Sequence, residues 1–158
     1  MRTFIAVLAL ASASAALAGP PEASFDTGKI EELTGSKGVF NEMEGVFKVS
    51  VPRSDLAVVA AGVRLTPPMG LTSWAAFAGG DDRAVVDGDF AMLESELQGV
   101  LKALRGAGIN VVAIHQHMAG ESPRIIFLHY WGVGRTEELA KGLRSALDRT
   151  GNSRKAPR

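Results

Sequence analysis

All three histidines of the chain, His115, His117 and His129, lie within one stretch of fifteen residues. On a β-strand, residues two apart point to the same face, about 6.5 Å apart along the strand. A short loop and a second predicted strand carry His129 back toward the first pair. Three neutral imidazoles can bind one transition-metal ion, each at about 2.0 to 2.1 Å, and leave a fourth coordination position open. The spacing therefore predicts a metal site on a β-hairpin.

Pairing of the two strands decides whether the third histidine can join the first two. If His117 lies opposite Ile125, then His129 lies diagonal to His115, at about 7 to 8 Å. We predict Glu121, in the loop between them, as a fourth ligand or as a base beside the ion. This donor set favours zinc, and also suits copper(II), nickel or iron(II), whereas calcium prefers oxygen ligands. The alternative is that the histidines are structural and hydrogen-bonded within a sheet.

Two further residues are predicted to support this site. Asp89 can accept a histidine ring N–H as the outer partner of a ligand. Arg124, which follows Pro123, can bind an anionic group or a carboxylate through its fork of donors, and the same is predicted for Arg53 after Pro52. A turn or cap role is the alternative for Asp89, and structural ion pairing is the alternative for Arg124 and for Arg53.

The surrounding pattern predicts the elements that must hold these side chains. An apolar stripe at helical spacing predicts a helix over 94–107, and a second stripe predicts a helix over 136–149. Strands are predicted over 46–51, 56–65, 71–78, 83–92, 109–118 and 124–131, and Gly62 predicts a bulge or turn inside the second of them. Strands followed by a helix, two strands and a helix are typical of the α+β class. We expect a single domain with an antiparallel or mixed sheet and two main helices packed against it.

The ends of the chain carry different signals. Residues 1–18 combine Arg2, an apolar run and the small residues Ala16 and Ala18, a pattern typical of a signal peptide. We expect cleavage before Gly19, a domain over 19–150 and a disordered basic tail over 151–158. The sequence contains no cysteine, so disulfides and a lipobox are excluded. The expected location is periplasmic or secreted.

Composition narrows the possible partners. The 17 basic side chains balance 17 acidic ones, which gives no support for binding nucleic acid or an anionic membrane. The sequence has no phosphate-binding glycine-rich loop, no nucleophile elbow and no His-Glu-x-x-His helix. We therefore expect a metal ion or a small ligand as partner, no nucleic acid, and no membrane span after signal cleavage.

Several short motifs occur together in the chain. They are Gly70-Leu-Thr-Ser-Trp-Ala-Ala-Phe77, Gly88-Asp89 ahead of a helix with Glu96, Ala113-Ile-His-Gln-His117, Pro123-Arg124 and Phe127-Leu-His129. Their combination resembles the LppY/LpqO family of exported bacterial proteins, over residues 26–147. That family has an uncharacterised function, so the resemblance implies no mechanism. Its members often have His-Asn-His where this chain has His115-Gln-His117, and its lipid anchoring does not carry over to a chain without cysteine.

The sequence leaves three functions open. The first is an exported protein that binds a divalent transition metal through the histidine hairpin. The second is a hydrolase or lyase in which a metal-activated water, or a histidine with Glu121, performs acid–base chemistry. The third is a non-catalytic cell-envelope binding module with structural histidines. Whether the protein is an enzyme is not decided by the sequence.

Overall fold

A computed structural model describes residues 24–151 of the chain. The predicted signal peptide over 1–18 and nearly all of the predicted tail over 151–158 lie outside the described residues. The described part contains three α-helices, nine β-strands and a short 3-10 helix. In chain order they are α1 (Thr27–Thr34), β1 (Gly38–Asn41), β2 (Val46–Pro52), β3 (Val59–Ala60), β4 (Val63–Arg64), the 3-10 helix (Pro67–Met69), β5 (Thr72–Gly80), β6 (Arg83–Leu93), α2 (Leu97–Gly106), β7 (Asn110–Gln116), β8 (Glu121–Ser122), β9 (Ile125–Gly134) and α3 (Thr136–Leu147).

Six of these strands form one antiparallel sheet in the order β1-β2-β5-β6-β9-β7. The remaining three form a small sheet in the order β4-β3-β8. This arrangement confirms the predicted α+β class with an antiparallel sheet. Among residues 24–151, no helix is both long enough and apolar enough to cross a membrane.

The three helices cover one face of the large sheet. Alternation along each strand sends apolar side chains toward them, and the resulting core includes Phe77, Phe90 and Leu128 from the strands. Leu104 and Leu143 enter it from α2 and α3 and are fully buried. The same alternation places polar side chains on the opposite face, which we call the open face.

One end of the open face is covered by the small sheet and the loops beside it. A second apolar cluster forms there from Leu56, Val58, Leu65 and Leu71 against Phe127 of β9. We predicted a strand within 56–65 that is interrupted by a bulge or turn at Gly62, and the turn is confirmed. The backbone turns at Ala61 and Gly62, where φ is 49° and 79°, so two short strands form instead.

A tyrosine on β9 crosses the neighbouring strand β6 and forms a hydrogen bond with β5. The Tyr130 hydroxyl donates a hydrogen bond to the Trp74 carbonyl at 2.8 Å, across β6. Its ring crosses β6 at Gly88, where an added Cβ would lie 2.1 Å from the hydroxyl oxygen. Only glycine leaves this space, so Gly88, the residue before Asp89, allows the Tyr130 ring to cross the strand.

Arg53 lies fully buried at the end of β2 and forms ion pairs. Its guanidinium donates to both oxygens of Asp55 at 2.9 Å and to both oxygens of Glu96 at 2.9 and 3.0 Å. It also donates to the Ala91 carbonyl at 2.6 Å. The structural alternative is therefore the correct one for Arg53, which joins the start of α2 to the sheet.

Candidate metal site and adjoining cleft

Three neighbouring strands bring a carboxylate and two histidines together on the open face. Asp89 of β6 lies directly opposite His129 of β9, and Ala113 of β7 lies opposite His129 from the other side. The His117 N–H donates to the Ile125 carbonyl at 2.9 Å, as the predicted register requires. His115 is consequently diagonal to His129, and this prediction is confirmed.

The ligand atoms of this group are close enough to share one ion. The Nε2 atoms of His115 and His129 are 3.1 Å apart, and His129 Nε2 is 3.4 Å from Asp89 Oδ2. All three ligand atoms lie within 4.8 Å of one another. Two atoms that each lie about 2.05 Å from a tetrahedral ion are about 3.3 Å apart. The observed separations therefore match the geometry of a shared zinc-like ion.

A hydrogen bond to the backbone determines the tautomer of the His115 imidazole. Its Nδ1 lies 3.0 Å from the Gln116 carbonyl oxygen, which can only accept a hydrogen bond. Nδ1 of His115 must therefore carry a proton. In the neutral ring this leaves a lone pair on Nε2, the atom that faces His129. Metal-binding histidines are commonly oriented by such a bond from the second ring nitrogen.

Asp89 is a buried carboxylate with an unsatisfied oxygen. Its residue surface is 5 % exposed, and Oδ1 accepts no hydrogen bond from the described residues. Burial raises the pKa of Asp89 to about 6, although the nearby His129 and His115 act in the opposite direction. A buried carboxylate oxygen that accepts no hydrogen bond is costly unless a cation or donor meets it. We predicted Asp89 as an outer partner of a histidine, whereas the structure places it among the candidate ligands.

His117 and Glu121 form a separate pair. His117 Nδ1 lies 2.7 Å from Glu121 Oε2, and the other oxygen of Glu121 accepts the Ile125 N–H at 2.9 Å. The Phe127 ring stacks against both imidazoles, with centroid distances of 5.7 Å to His115 and 5.2 Å to His117. His117 follows the last residue of β7. The close group of ligand atoms consists of Asp89, His115 and His129, and it includes neither His117 nor Glu121.

An open cleft of about 500 Å³ adjoins both histidine groups. Trp74 and Phe127 contribute aromatic surfaces to it, and Lys48 contributes a cation. Its full lining is Lys48, Ser50, Pro67, Pro68, Gly70, Thr72, Trp74, Asp89, His115, His117 and Phe127. Arg124 does not belong to this lining and is exposed in the loop after Pro123.

Sequence reasoning missed the ligand position of Asp89 and the contribution of Lys48. The alternation Asp87-Gly-Asp89 shows that both aspartates share a face of β6. It does not show that β6 pairs with β9 at His129, because these residues are forty positions apart. The signal for Lys48 is weaker still, since a lone lysine in a strand is ordinarily a solvated side chain.

Comparison with known proteins gives one family. The family described as Domain of Unknown Function (DUF1259) has a model that matches residues 28–149, which is most of the chain. The chain belongs to this family. The DUF1259 match includes Lys48, Asp89 and all three histidines, so the cleft and the candidate ligands lie within the family domain. No curated protein and no solved structure matches the chain.

Proposed function

We propose that this domain binds one divalent transition-metal ion through Asp89, His115 and His129. The observation that carries the proposal is the convergence of two imidazole nitrogens and a carboxylate oxygen within 4.8 Å, on three different strands. The buried Asp89 Oδ1, which accepts no hydrogen bond from the described residues, supplies further acceptor capacity toward an ion. Relative to the sequence prediction, Asp89 replaces His117 and Glu121 as a ligand.

Two imidazoles and one carboxylate are a known donor set for several metals. Zinc uses it in catalytic sites that keep a fourth position open, and non-haem iron(II) uses it as a facial triad. We propose zinc as the first choice because the two adjacent separations, 3.1 and 3.4 Å, bracket the tetrahedral value. Copper(II), nickel and iron(II) remain alternatives that metal analysis distinguishes.

Metal analysis of the untagged protein tests the proposal. We expect about one equivalent of zinc, copper, nickel or iron per chain, with the titration of metal-free protein identifying the preferred ion. His115→Ala and Asp89→Ala should each weaken binding by at least about a hundredfold, because changes to the outer partners of ligands already cost about 10- to 100-fold and here a ligand itself is lost. His117→Ala is the matched control, and its affinity should stay within about threefold of the wild type. Equal losses in all three variants, or no binding by the wild type, would overturn the assignment.

A metal-assisted hydrolase or lyase is a second candidate function. The observation that favours it is the His117–Glu121 pair at the edge of the same cleft. Glu121 accepts from His117 Nδ1, which leaves Nε2 as the atom able to take or give a proton. His117 Nε2 faces the loop at Gly70, where an added Cβ would lie only 2.7 Å away. A bound metal would supply Lewis-acid chemistry beside this group.

Activity against a panel of ester and phosphoester substrates separates the enzyme from a binding protein. Turnover that requires both added zinc and His117 supports the hydrolase. Tight zinc binding without turnover on any substrate supports a carrier or scavenger of metal. Absence of both leaves the third candidate, a non-catalytic cell-envelope module in which the histidines are structural.

We also propose that the protein is exported, and that it is of the LppY/LpqO type. The support is the signal-like pattern of residues 1–18 and the motif set around Asp89 and the histidines. Sequencing the N-terminus of protein recovered from the periplasmic fraction tests the export. We expect the mature chain to begin at Gly19. An intact N-terminus beginning at Met1, in the cytoplasmic fraction only, would contradict it.

A further inference from the structure

Lys48 of β2 extends along the open face toward the candidate metal ligands. Its backbone lies opposite Ala76 of β5. Its Nζ, however, lies 4.1 Å from the ring centroid of Trp74, which precedes Ala76 by two residues on the same strand. Trp74 is in turn the direct cross-strand neighbour of Asp89. The lysine side chain therefore reaches from its own position to the row of the sheet that holds the ligands.

The Lys48 ammonium is held without a counter-charge. Within residues 24–151 it forms no ion pair with a carboxylate, and it makes a cation–π contact with the Trp74 ring. An ammonium over an indole face is attracted to the ring while its N–H donors remain available. Lys48 lines the same cleft as Asp89 and His115. It is therefore a cation presented to whatever occupies that cleft.

The charge of the cleft selects an anion once a metal is bound. A divalent ion and Lys48 together carry three positive charges, and Asp89 with its neighbour Asp87 carries two negative charges, so the net charge there is positive. Neighbouring strands lie about 4.8 Å apart, so Trp74 on β5 and Asp89 on β6 are adjacent on the open face. A single oxyanion group can consequently contact the open metal position and approach Lys48.

The rest of the cleft is apolar or aromatic. Trp74, Phe127, Pro67 and Pro68 supply apolar surfaces to its lining. A volume of about 500 Å³ is in the range of small-molecule sites, which combine apolar walls with a few polar groups that orient the ligand. Such walls favour a ligand with an apolar body behind its charged group.

We propose that the cleft binds a small organic anion. Its carboxylate or phosphate group would lie between the bound metal and Lys48, and its apolar body would lie against Trp74 and Phe127. This inference rests on the proposed metal site, because the metal supplies the first contact of the oxyanion.

Calorimetry on the zinc-loaded protein tests this inference with four probes. Benzoate and phenyl phosphate carry an aromatic body, whereas acetate and inorganic phosphate carry the same two charged groups without one. We expect the aromatic anions to bind at least tenfold more tightly than their small counterparts. The comparison of benzoate with phenyl phosphate identifies which oxyanion the cleft prefers.

Lys48→Met separates the anion site from the metal site. Methionine retains an apolar contact with Trp74 but removes the charge, so zinc affinity should stay within about threefold while anion affinity falls about tenfold or more. Lys102→Met, an exposed position on α2, is the matched control for net charge and should change neither affinity.

The outcomes distinguish the two proposals. Zinc binding without measurable anion binding, equal affinity for aromatic and small anions, or an unchanged anion affinity in Lys48→Met would each overturn the anion site alone. Failure of the wild type to bind any of the four metals would overturn the metal site, and with it the anion site that depends on it.

Discussion

Two groups of charged or titratable side chains lie beside the large sheet, and they are satisfied to very different degrees. Arg53 is fully buried, and its guanidinium is matched by two carboxylates and a backbone carbonyl. Asp89 is also buried, yet one of its oxygens accepts no hydrogen bond from the described residues, and its neighbours are histidines that share an open cleft. The first group is closed to ligands, whereas the second has unused donor and acceptor capacity.

This difference separates a structural role from a functional one. A buried charge that is fully paired holds its elements together, and removing one partner is costly. A buried charge that is poorly paired is itself unfavourable, and such groups concentrate at functional sites. We therefore expect mutations in the two groups to change the free energy of unfolding with opposite signs.

The largest expected effect is that of Arg53→Met. The substitution leaves the partly buried carboxylates of Glu96 and Asp55 without their shared cation, so we expect a loss of about 3 kcal/mol in the free energy of unfolding. Urea unfolding followed by circular dichroism measures it. Arg135→Met is the matched control, because Arg135 pairs with Asp82 at an exposed position and should change stability by no more than about 0.5 kcal/mol. A loss below 1 kcal/mol for Arg53→Met would contradict the structural role.

Asp89→Asn should have the next largest effect, in the opposite direction. The amide removes a buried charge, so metal-free protein should gain about 1 to 3 kcal/mol of stability at pH 8. The upper bound corresponds to the rise in the pKa of Asp89 from 3.8 to about 6. Urea unfolding in the presence of a chelator measures this gain, and a loss at pH 8 would contradict it.

The pH dependence of the Asp89→Asn effect gives a sharper check. Above the folded-state pKa of about 6, the carboxyl is ionised in both the folded and the unfolded chain, and its full cost is present. As the pH falls from about 6 toward 3.8, the folded protein binds the proton first and that cost disappears. The stability difference between Asp89→Asn and wild type should therefore shrink through this window. A difference that stays constant from pH 8 to pH 4.5 would show that the charge is not its cause.

Much of this arrangement follows from the sequence by local rules. The helices around Leu104 and Leu143 follow from apolar spacing, and the diagonal placement of His129 and His115 follows from alternation along one hairpin. Residues close in sequence have few ways to pair, so their register is strongly limited.

The candidate ligand set did not follow from the sequence, because it depends on a third strand. Asp89 reaches His129 only through the pairing of β6 with β9, which joins residues distant along the chain. His117 and Glu121 lie at the two ends of the short connection between β7 and β8. A strand of two residues such as β8 has almost no alternation of apolar and polar residues by which the sequence could reveal it. The strand β1 was also missed, because its four residues, Gly-Val-Phe-Asn, do not alternate between apolar and polar types.

The smallest stability effect is expected for Glu121→Gln, which compares a second buried carboxylate with Asp89. Both oxygens of Glu121 have partners, so the amide can keep the bond from the Ile125 N–H and disturb only the contact with His117. We expect a loss of about 1 kcal/mol and a zinc affinity within about threefold of wild type. Urea unfolding and zinc titration measure the two quantities. A stability gain like that expected for Asp89→Asn would place Glu121 with the poorly paired group instead.

Imidazole ¹⁵N NMR during a zinc titration shows which histidines bind the ion, because it reports on each histidine separately. We expect the Nε2 signals of His115 and His129 to shift together and to saturate at one equivalent of zinc, while the signals of His117 remain in place. Joint shifts of all three histidines, or a shift of His117 alone, would contradict the assignment of Asp89, His115 and His129 as the metal ligands.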